Sequence, residues 1–305
     1  MTGTTEPSAP EYPAEPAPGH GEALALAAGL LTVVLWSSNF PVIRYAARDY
    51  SPDHLALLRC LFAAAALAVY AVGARMRLPE WRDWPVFIGF GVSGMALSSL
   101  GLAYGLQTVS AGAGAFIIGT IPVFSALMAR GFLAERLGGL GWAGIAVSAG
   151  GTALIALGEG EGLRVGWGVL FLLASAFCQS IFYVFQKPYL RRYSPIEITC
   201  YIVWSGALSL LVFLPGLPGE LAAAGWGPTL ALAYQGVFPV ALAFVTWSVA
   251  LKRAKAARVT SLVYLMPLLS TAIAYVWLAE VPAALSLLGG LTAIAGVAIL
   301  NVWGK

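Results

Sequence analysis

The sequence predicts an all-α polytopic membrane protein of ten transmembrane helices, built as two inverted five-helix repeats with cytoplasmic N- and C-termini. Composition, segment length and an internal repeat predict this fold. Of the 305 residues, 59% are hydrophobic and only 10% are charged, against about 25% charged in soluble domains. A chain of this composition is typical of a protein that is embedded in a bilayer.

The chain contains ten apolar segments, each near the length of about 20 residues that spans the hydrocarbon core as a helix. They lie at 24–46, 53–73, 84–106, 110–131, 138–157, 166–187, 195–214, 227–251, 256–279 and 283–303. Residues 1–23 are rich in Pro, Ala and Glu, a composition that buries too little apolar surface to fold. We therefore expect a disordered cytoplasmic tail, and its lack of a basic start argues against a secretory signal.

The segments are arranged in a repeat, because identical residues recur at a nearly constant offset. Tyr50-Ser51-Pro52 recurs as Tyr193-Ser194-Pro195, at an offset of 143. At an offset of 145, four residues of the first half recur in the second: Pro122, Glu135, Gly144 and Gly151 match Pro267, Glu280, Gly289 and Gly296. Such matches in register indicate duplication, with repeats at 24–158 and 167–302. Since five is an odd number, the second repeat enters the membrane from the opposite side, as in many secondary transporters.

The distribution of Lys and Arg predicts the orientation, because basic residues of short loops mark the cytoplasmic side. With the N-terminus inside, thirteen of the 17 basic residues fall on the inner face, and Arg44, Arg48 and Arg164 fall on the outer face. The remaining one, Arg59, lies within a helix. The acidic tail argues weakly for the reverse, but acidic residues count little. Both termini are therefore predicted to be cytoplasmic.

Several function classes lack the residues they need. Cys60, Cys178 and Cys200 have no metal-ligand spacing and are expected to be apolar fillers. His20 and His54 form no cluster, so we expect no metal site and no cofactor. The spans also lack the clustered carboxylates or activated nucleophile of an intramembrane enzyme. No basic stripe indicates nucleic acid, and no obligate protein partner is evident.

Three motifs carry a resemblance to a known family. They are Trp36-Ser37-Ser38-Asn39-Phe40-Pro41, Leu58-Arg59, and Pro122 followed by Ala134-Glu135-Arg136 and a Gly-rich fifth helix. Together they resemble the EamA-type members of the drug/metabolite transporter superfamily over nearly the whole chain after the tail, and most closely the bacterial amino-acid and metabolite exporters. The resemblance implies a bacterial inner-membrane exporter that works by alternating access on a small-molecule substrate. It also implies a central cavity built from the first, third, fourth, sixth, eighth and ninth helices.

The candidate substrate-binding residues share helix faces in the middle of the spans. On the first helix, Trp36, Asn39, Phe40 and Ile43 form one stripe, and Gln179, Phe182, Tyr183 and Gln186 form its counterpart on the sixth. An unpaired amide in hydrocarbon costs several kcal/mol, so Asn39 and Gln179 should face protein, water or substrate. Cavity lining and interhelical hydrogen bonding are both open for these amides.

Further candidates for substrate binding come from three other helices: Ser98, Tyr104, Trp247, Ser248 and Tyr264. Tyr104 and Trp247 lie near helix ends, where aromatic side chains commonly anchor a helix at the membrane interface. Anchoring is therefore the alternative for both.

Five residues are candidates for a hinge or gate: Pro122, Pro267, Arg59, Glu135 and Glu280. The matched prolines are either paired hinges or passive kinks. Arg59 lies about 10 Å along its helix, so it needs a partner or must extend back to the interface. The two glutamates lie at helix ends, where gating and purely structural roles are both open.

The predicted function is export of amino acids or similar small neutral or zwitterionic metabolites. Aromatic, hydroxyl and amide side chains with scarcely any fixed charge suit such a substrate, whereas a phosphorylated one requires several basic residues. No Asp, Glu or His is predicted near the midplane, where proton-driven carriers place a titratable group, so we expect facilitated export. The alternatives are a broad-specificity drug or organic-cation exporter and a neutral-pore channel.

Overall fold

The chain is a polytopic, all-helical membrane protein. In the computed structural model the described residues are 20–132, 137–159, 166–253, 259 and 262–303, and no strand occurs among them. Within these ranges, nine helices are long and apolar enough to cross a membrane, and Leu262–Leu278 is a shorter apolar helix. The predicted ninth segment begins at 256, but residues 254–258, 260 and 261 lie outside the described residues. The count of ten spans therefore stays a prediction.

The helices are numbered α1 to α10 in chain order, with one short helix, Leu217–Ala223, between α7 and α8. Their bounds are α1 His20–Ala46, α2 Pro52–Gly73, α3 Trp81–Gly105, α4 Ala111–Phe132, α5 Gly139–Glu159, α6 Trp167–Phe185, α7 Pro195–Phe213, α8 226–253, α9 Leu262–Leu278 and α10 Ala284–Trp303. Most bounds lie within a few residues of the predicted segments. Of the predicted tail, residues 1–19 lie outside the described residues.

The repeated Tyr-Ser-Pro motif stands at the start of α2 and of α7. Proline suits the first turn of a helix because its missing N–H has no intrahelical acceptor there. In α7, Ser194 and Glu197 form a reciprocal capping box. In α2, Ser51 instead donates its N–H and hydroxyl to Glu220, at 3.0 and 3.2 Å. Each motif thus fixes where a helix enters the bundle.

Two helices contain a π-helical segment, Gly91–Leu97 in α3 and Gly236–Leu242 in α8. Each begins with a glycine at a close helix crossing. A Cβ on Gly91 would collide with the backbone of Ile202 in α7, and one on Gly236 with the backbone of Arg59 in α2. π-helical turns are rare and are frequent at functional sites.

Helices α4 and α9 are also irregular, and each irregularity adjoins a proline. The α-helical hydrogen bonding of α4 is interrupted at Gly119 and Thr120, just before Pro122. Helix α9 begins with a 3₁₀ turn, Leu262–Leu265, just before Pro267. The matched prolines therefore each follow a local break in the helix.

Helices α5 and α10 pack through the repeat-matched glycines. Gly144 faces Gly296, and Gly151 faces Gly289, so closely that an added Cβ would collide with the opposing backbone. Since lipid is as apolar as the side chains, helices in a bilayer associate through such close packing rather than through hydrophobic burial.

The loops form two faces of the bundle, which we name by their arginines. The Arg44 face contains the ends of α1, α3 and α9 and the starts of α2 and α4; the Arg77 face contains the ends of α2 and α6 and the start of α7. On the Arg77 face, Arg77 pairs with Glu197 at 3.1 Å, and Tyr193 donates its hydroxyl to Asp83 at 2.7 Å.

On the Arg44 face, the Glu220 carboxylate joins the start of α2 to the short helix before α8. His54 Nδ1 lies 2.8 Å from Glu220 Oε2. Burial alone would raise the pKa of Glu220, but the hydrogen bonds from His54 and Ser51 hold this pKa below its usual value. This contact therefore favours the ionised carboxylate.

The α5 and α10 contact predicts that Gly151→Ala destabilises the protein by about 1–3 kcal/mol, because the new methyl group overpacks a backbone contact. The measurement is Tm of the purified protein in detergent. Gly150→Ala is the matched control, since no atom lies within 4 Å of its added Cβ. An equal fall in Tm for both variants would contradict the packing.

Candidate functional site

A cavity of about 340 Å³ lies inside the bundle. This volume is at the lower end of the range of about 300–1,000 Å³ that is typical of small-molecule sites. Its walls come from α1, α2, α3, α4, α6, α7, α8, α9 and α10. All six helices that the family resemblance implies contribute to the walls, and α2, α7 and α10 contribute as well.

The cavity lies in the middle of the bundle. At the Arg77 face its lining reaches Tyr183 in the last turn of α6 and Tyr264 in the first turn of α9. Toward the Arg44 face it reaches Leu102 in the last turn of α3, and on α1 it stops at Phe40, a full turn before Arg44. A layer of protein therefore separates the cavity from the Arg44 face.

An ion pair at the Arg44 face ties three parts of this layer together. Arg44 Nε donates to Glu280 Oε1 at 2.7 Å, and Arg44 Nη1 donates to the carbonyls of Leu106 and Gln107 at 2.9 and 3.1 Å. The other oxygen of Glu280 accepts from the N–H of Ala111 at 3.2 Å. Since Ala111 opens α4, the carboxylate also lies at the positive end of a helix dipole. These bonds join α1, the α3–α4 loop and the end of α9.

The structure brings most of the predicted binding residues onto the cavity wall. Nine of the eleven line it: Trp36, Asn39, Phe40, Ser98, Gln179, Phe182, Tyr183, Trp247 and Tyr264. Tyr104 does not, because its hydroxyl donates to Asp53 at 2.9 Å and its ring stacks on Phe171 at 5.1 Å. Ser248 lies in α8, but its side chain is outside the described part.

Each cavity amide is also held by a hydrogen bond between helices. Asn39 Oδ1 accepts from Gln235 Nε2 of α8 at 2.6 Å. Gln179 Nε2 donates to Ser98 Oγ of α3 at 2.7 Å. The two roles left open by the sequence, cavity lining and helix pairing, thus coexist in both side chains.

The aromatic side chains form two groups on the wall. The Trp36 ring lies 5.7 Å from Phe244 and 5.1 Å from Trp247. The Phe182 ring lies 5.9 Å from Phe90 and 5.3 Å from Tyr183. Ring pairs at such distances add about 0.5–1.5 kcal/mol beyond their burial, which holds the walls in shape.

The hinge and gate candidates fall in different places. Pro122, Pro267 and Arg59 line the cavity, and Glu280 belongs to the ion pair of the Arg44 face. Glu135 lies outside the described residues. Arg59 does not extend back to the interface, since only 5% of its surface is exposed.

Sequence reasoning missed Gln235, the fully buried partner of Asn39. An amide inside an apolar segment was a usable signal, because hydrocarbon provides no partner for it. The sequence could not reveal that Gln235 pairs with Asn39, which lies 196 positions away along the chain.

Comparison with known families identifies the chain. The model of the EamA-like transporter family matches residues 23–157 and again residues 166–302. The chain belongs to this family. EamA-like proteins are members of the drug/metabolite transporter superfamily and are transporters rather than enzymes.

Among its relatives is the uncharacterized transporter YdfC of Bacillus subtilis, which is 38% identical and is aligned over 88% of this chain and 87% of its own length. A probable terminal-alkyne amino-acid exporter of Streptantibioticus cattleyicolor is also 38% identical, over 89% of this chain and 91% of its own. A probable amino-acid metabolite efflux pump of Salmonella typhimurium is 26% identical, over 90% and 93%.

A solved crystal structure shares the fold of this EamA-like chain. It superposes with a TM-score of 0.63 over 93% of this chain and 97% of its own, at 21% sequence identity.

A double-mutant cycle tests the interhelical amide pair of this EamA-like protein. We expect Asn39→Ala and Gln235→Ala to show a coupling energy of about 0.6–2 kcal/mol, the range for hydrogen bonds between membrane helices. The measurement is the free energy of unfolding in increasing SDS. The control pairs Asn39→Ala with Ser93→Ala, a variant that removes a hydroxyl bonded within its own helix. Additive effects of the amide substitutions would show that the pair contributes no interaction energy.

Proposed function

We propose that this chain is a bacterial inner-membrane exporter of amino acids and similar small neutral or zwitterionic metabolites, working by alternating access. The observation that carries the proposal is a cavity walled by aromatic rings and amides, separated from one face by an ion-paired layer. Two relatives, a probable terminal-alkyne amino-acid exporter and a probable amino-acid metabolite efflux pump, support the substrate class.

Two inverted repeats, at 24–158 and 167–302, would supply the two access states. The family model matches each half separately. The π-helical segments of α3 and α8 begin 145 residues apart, and the residues they meet, Ile202 and Arg59, are 143 apart. Equivalent crossings at the sequence offsets support a symmetric scaffold in which either face can close.

The predicted topology places the Arg77 face in the cytoplasm. On that assignment the ion-paired layer lies between the cavity and the outside, as expected of a state that is closed to the outside. Opening the Arg44 face would then release the substrate outside.

The cavity chemistry supports facilitated rather than strongly proton-coupled export. No Asp, Glu or His of the described residues lines the cavity, and a proton-driven carrier generally needs such a group near the midplane. The absence of a lining carboxylate also counts against organic cations as substrates. A continuous channel is disfavoured by the closed layer at the Arg44 face.

The first functional test is counterflow of labelled amino acids, aromatic and small polar, into liposomes preloaded with the same unlabelled amino acid. We expect saturable counterflow that persists when a protonophore collapses the pH gradient. Gln179→Ala should raise the half-saturating concentration about tenfold, since one polar contact is worth roughly 1–1.5 kcal/mol. Gln186→Ala is the matched control, because it removes an amide at the C-terminal end of the same helix, outside the cavity lining.

Equal loss in both glutamine variants would argue against a site at Gln179. Absence of counterflow for every amino acid in folded protein would overturn the substrate class. Flux that stops with the protonophore would overturn facilitated export.

The ion pair of the Arg44 face makes a separate prediction. Arg44→Gln should favour the state open at that face, because it removes three donated hydrogen bonds. The measurement is labelling of an introduced cysteine, Phe40→Cys, by a membrane-impermeant thiol reagent from the outside of right-side-out vesicles, in a background with the native cysteines replaced. We expect several-fold faster labelling, since about 1 kcal/mol shifts a population about fivefold.

Arg48→Gln is the control for this shift, because Arg48 is exposed on the same face and its guanidinium lies over the ring of Tyr45. Equal labelling rates with and without Arg44→Gln would show that the ion pair does not hold the face closed.

A further inference from the structure

Arg59 is a buried cation without a counter-ion in the described part of the chain. It lies on α2, lines the cavity, and is 5% exposed. Its Nε and Nη1 atoms are buried and have no hydrogen-bond acceptor there. The neighbouring cavity residues supply amides, hydroxyls and rings, and among the described lining no carboxylate.

Such an arrangement is costly for a protein that only has to fold. A buried charge is normally paired or neutralised, and an arginine cannot be deprotonated in proteins. Charged residues within spans are rare and mark substrate or ion pathways, or pair with one another. Since Arg59 faces a cavity and has no partner, its partner should enter through that cavity.

We propose that Arg59 binds the carboxylate group of the transported substrate. This inference rests on the proposed export of amino acids and names the group by which they are recognised. The planar guanidinium presents two parallel N–H donors that match the two oxygens of a carboxylate. A substrate carboxylate at one edge of the guanidinium would thus give one of the two unpaired atoms, Nε or Nη1, an acceptor, and it would neutralise the charge.

The residue at the position equivalent to Arg59 in the second half of the chain indicates how the substrate would be oriented in the cavity. At an offset of 143 from Arg59 stands Ile202, which also lines the cavity. One position therefore offers a cation and its counterpart an apolar surface. A molecule with a carboxylate at one end and an apolar group at the other fits this pair, with the carboxylate at α2.

The experiment compares free acids with their amides. Full-length protein in liposomes is assayed for inhibition of labelled L-leucine or L-phenylalanine counterflow by the unlabelled amino acid, its carboxamide and, for phenylalanine, 3-phenylpropionate. The variants are Arg59→Gln, Arg59→Lys, and Arg48→Gln as a control that removes the same charge from the surface. Tm of each protein in detergent is measured with and without the same compounds.

We expect the free acids to inhibit wild-type transport at concentrations roughly 10- to 100-fold lower than the amides, the factor for losing a charge-assisted hydrogen bond. Arg59→Gln should remove this preference, Arg59→Lys should keep part of it, and Arg48→Gln should leave it intact. The Tm of ligand-free Arg59→Gln should equal or exceed that of wild type, because the variant no longer buries an unpaired charge. A purely structural role for Arg59 predicts the opposite change in Tm.

Two results would overturn the assignment: equal inhibition by acids and amides in the wild type, or a full preference for acids in Arg59→Gln. Either result would leave amino-acid export itself standing. If the wild type carries no amino acid, the proposed export fails. The Tm then still tests Arg59: an increase with 3-phenylpropionate in the wild type but not in Arg59→Gln would show that Arg59 binds carboxylates. If Arg59→Gln fails to fold, the Arg59→Lys protein decides through its smaller acid preference.

Discussion

Hydrocarbon offers no hydrogen-bond partner, so each polar group within the bundle has to find one in the protein. The constraint accounts for the all-helical backbone of the described residues, and it also acts on side chains. Ser37 donates back to the carbonyl of Val33 at 2.6 Å, and Ser180 bonds both its own helix and the carbonyl of Ile121 in α4. Hydroxyls that would cost free energy in lipid thus become contacts within and between helices, and the amide pairs on the cavity wall follow the same rule.

The irregular backbone segments occur in helices that line the cavity. The π-helical segments of α3 and α8 and the breaks before Pro122 and Pro267 all occur in helices that line it. Non-helical backbone at membrane depth is tolerated where it is buried in protein or borders water. Arg59 is a comparable case among side chains, since its Nε and Nη1 atoms have no acceptor among the described residues while it borders an internal space. Irregular backbone and an unfilled cation at one place are expected of a site that receives a polar ligand.

The sequence predicted what depends on local pattern, and it failed where distant residues meet. Apolar length predicted the spans, and helical spacing grouped Trp36, Asn39 and Phe40 on the face that lines the cavity. Tyr104 lies off the cavity wall, and its position near a helix end could not show this, because that position suits a cavity residue, an interfacial anchor and a contact with a neighbouring helix equally. Its hydrogen bond to Asp53 at the start of α2 is evident only in three dimensions. The sequence also could not show that Arg59 has no counter-ion among the described residues, since this depends on which side chains of the other helices reach it. Helix periodicity orients a residue on its own helix but does not reveal its neighbours.

The two halves of the chain carry matching residues where helices pack closely, but different residues on the cavity wall. Equivalent glycines bring α3 onto α7 and α8 onto α2, and matched glycines join α5 to α10. At the cavity the equivalent positions carry different chemistry. Asn39 bonds Gln235, whereas the residues at the corresponding offsets, Phe182 and Phe90, form a T-shaped ring pair. Arg59 likewise faces the cavity where its counterpart is Ile202. The proposed alternating access needs two faces that can close in the same way, and matched packing residues in the two halves would allow it. Recognition of a molecule with a polar and an apolar end needs unlike walls, and the unlike residues at these cavity positions would provide them.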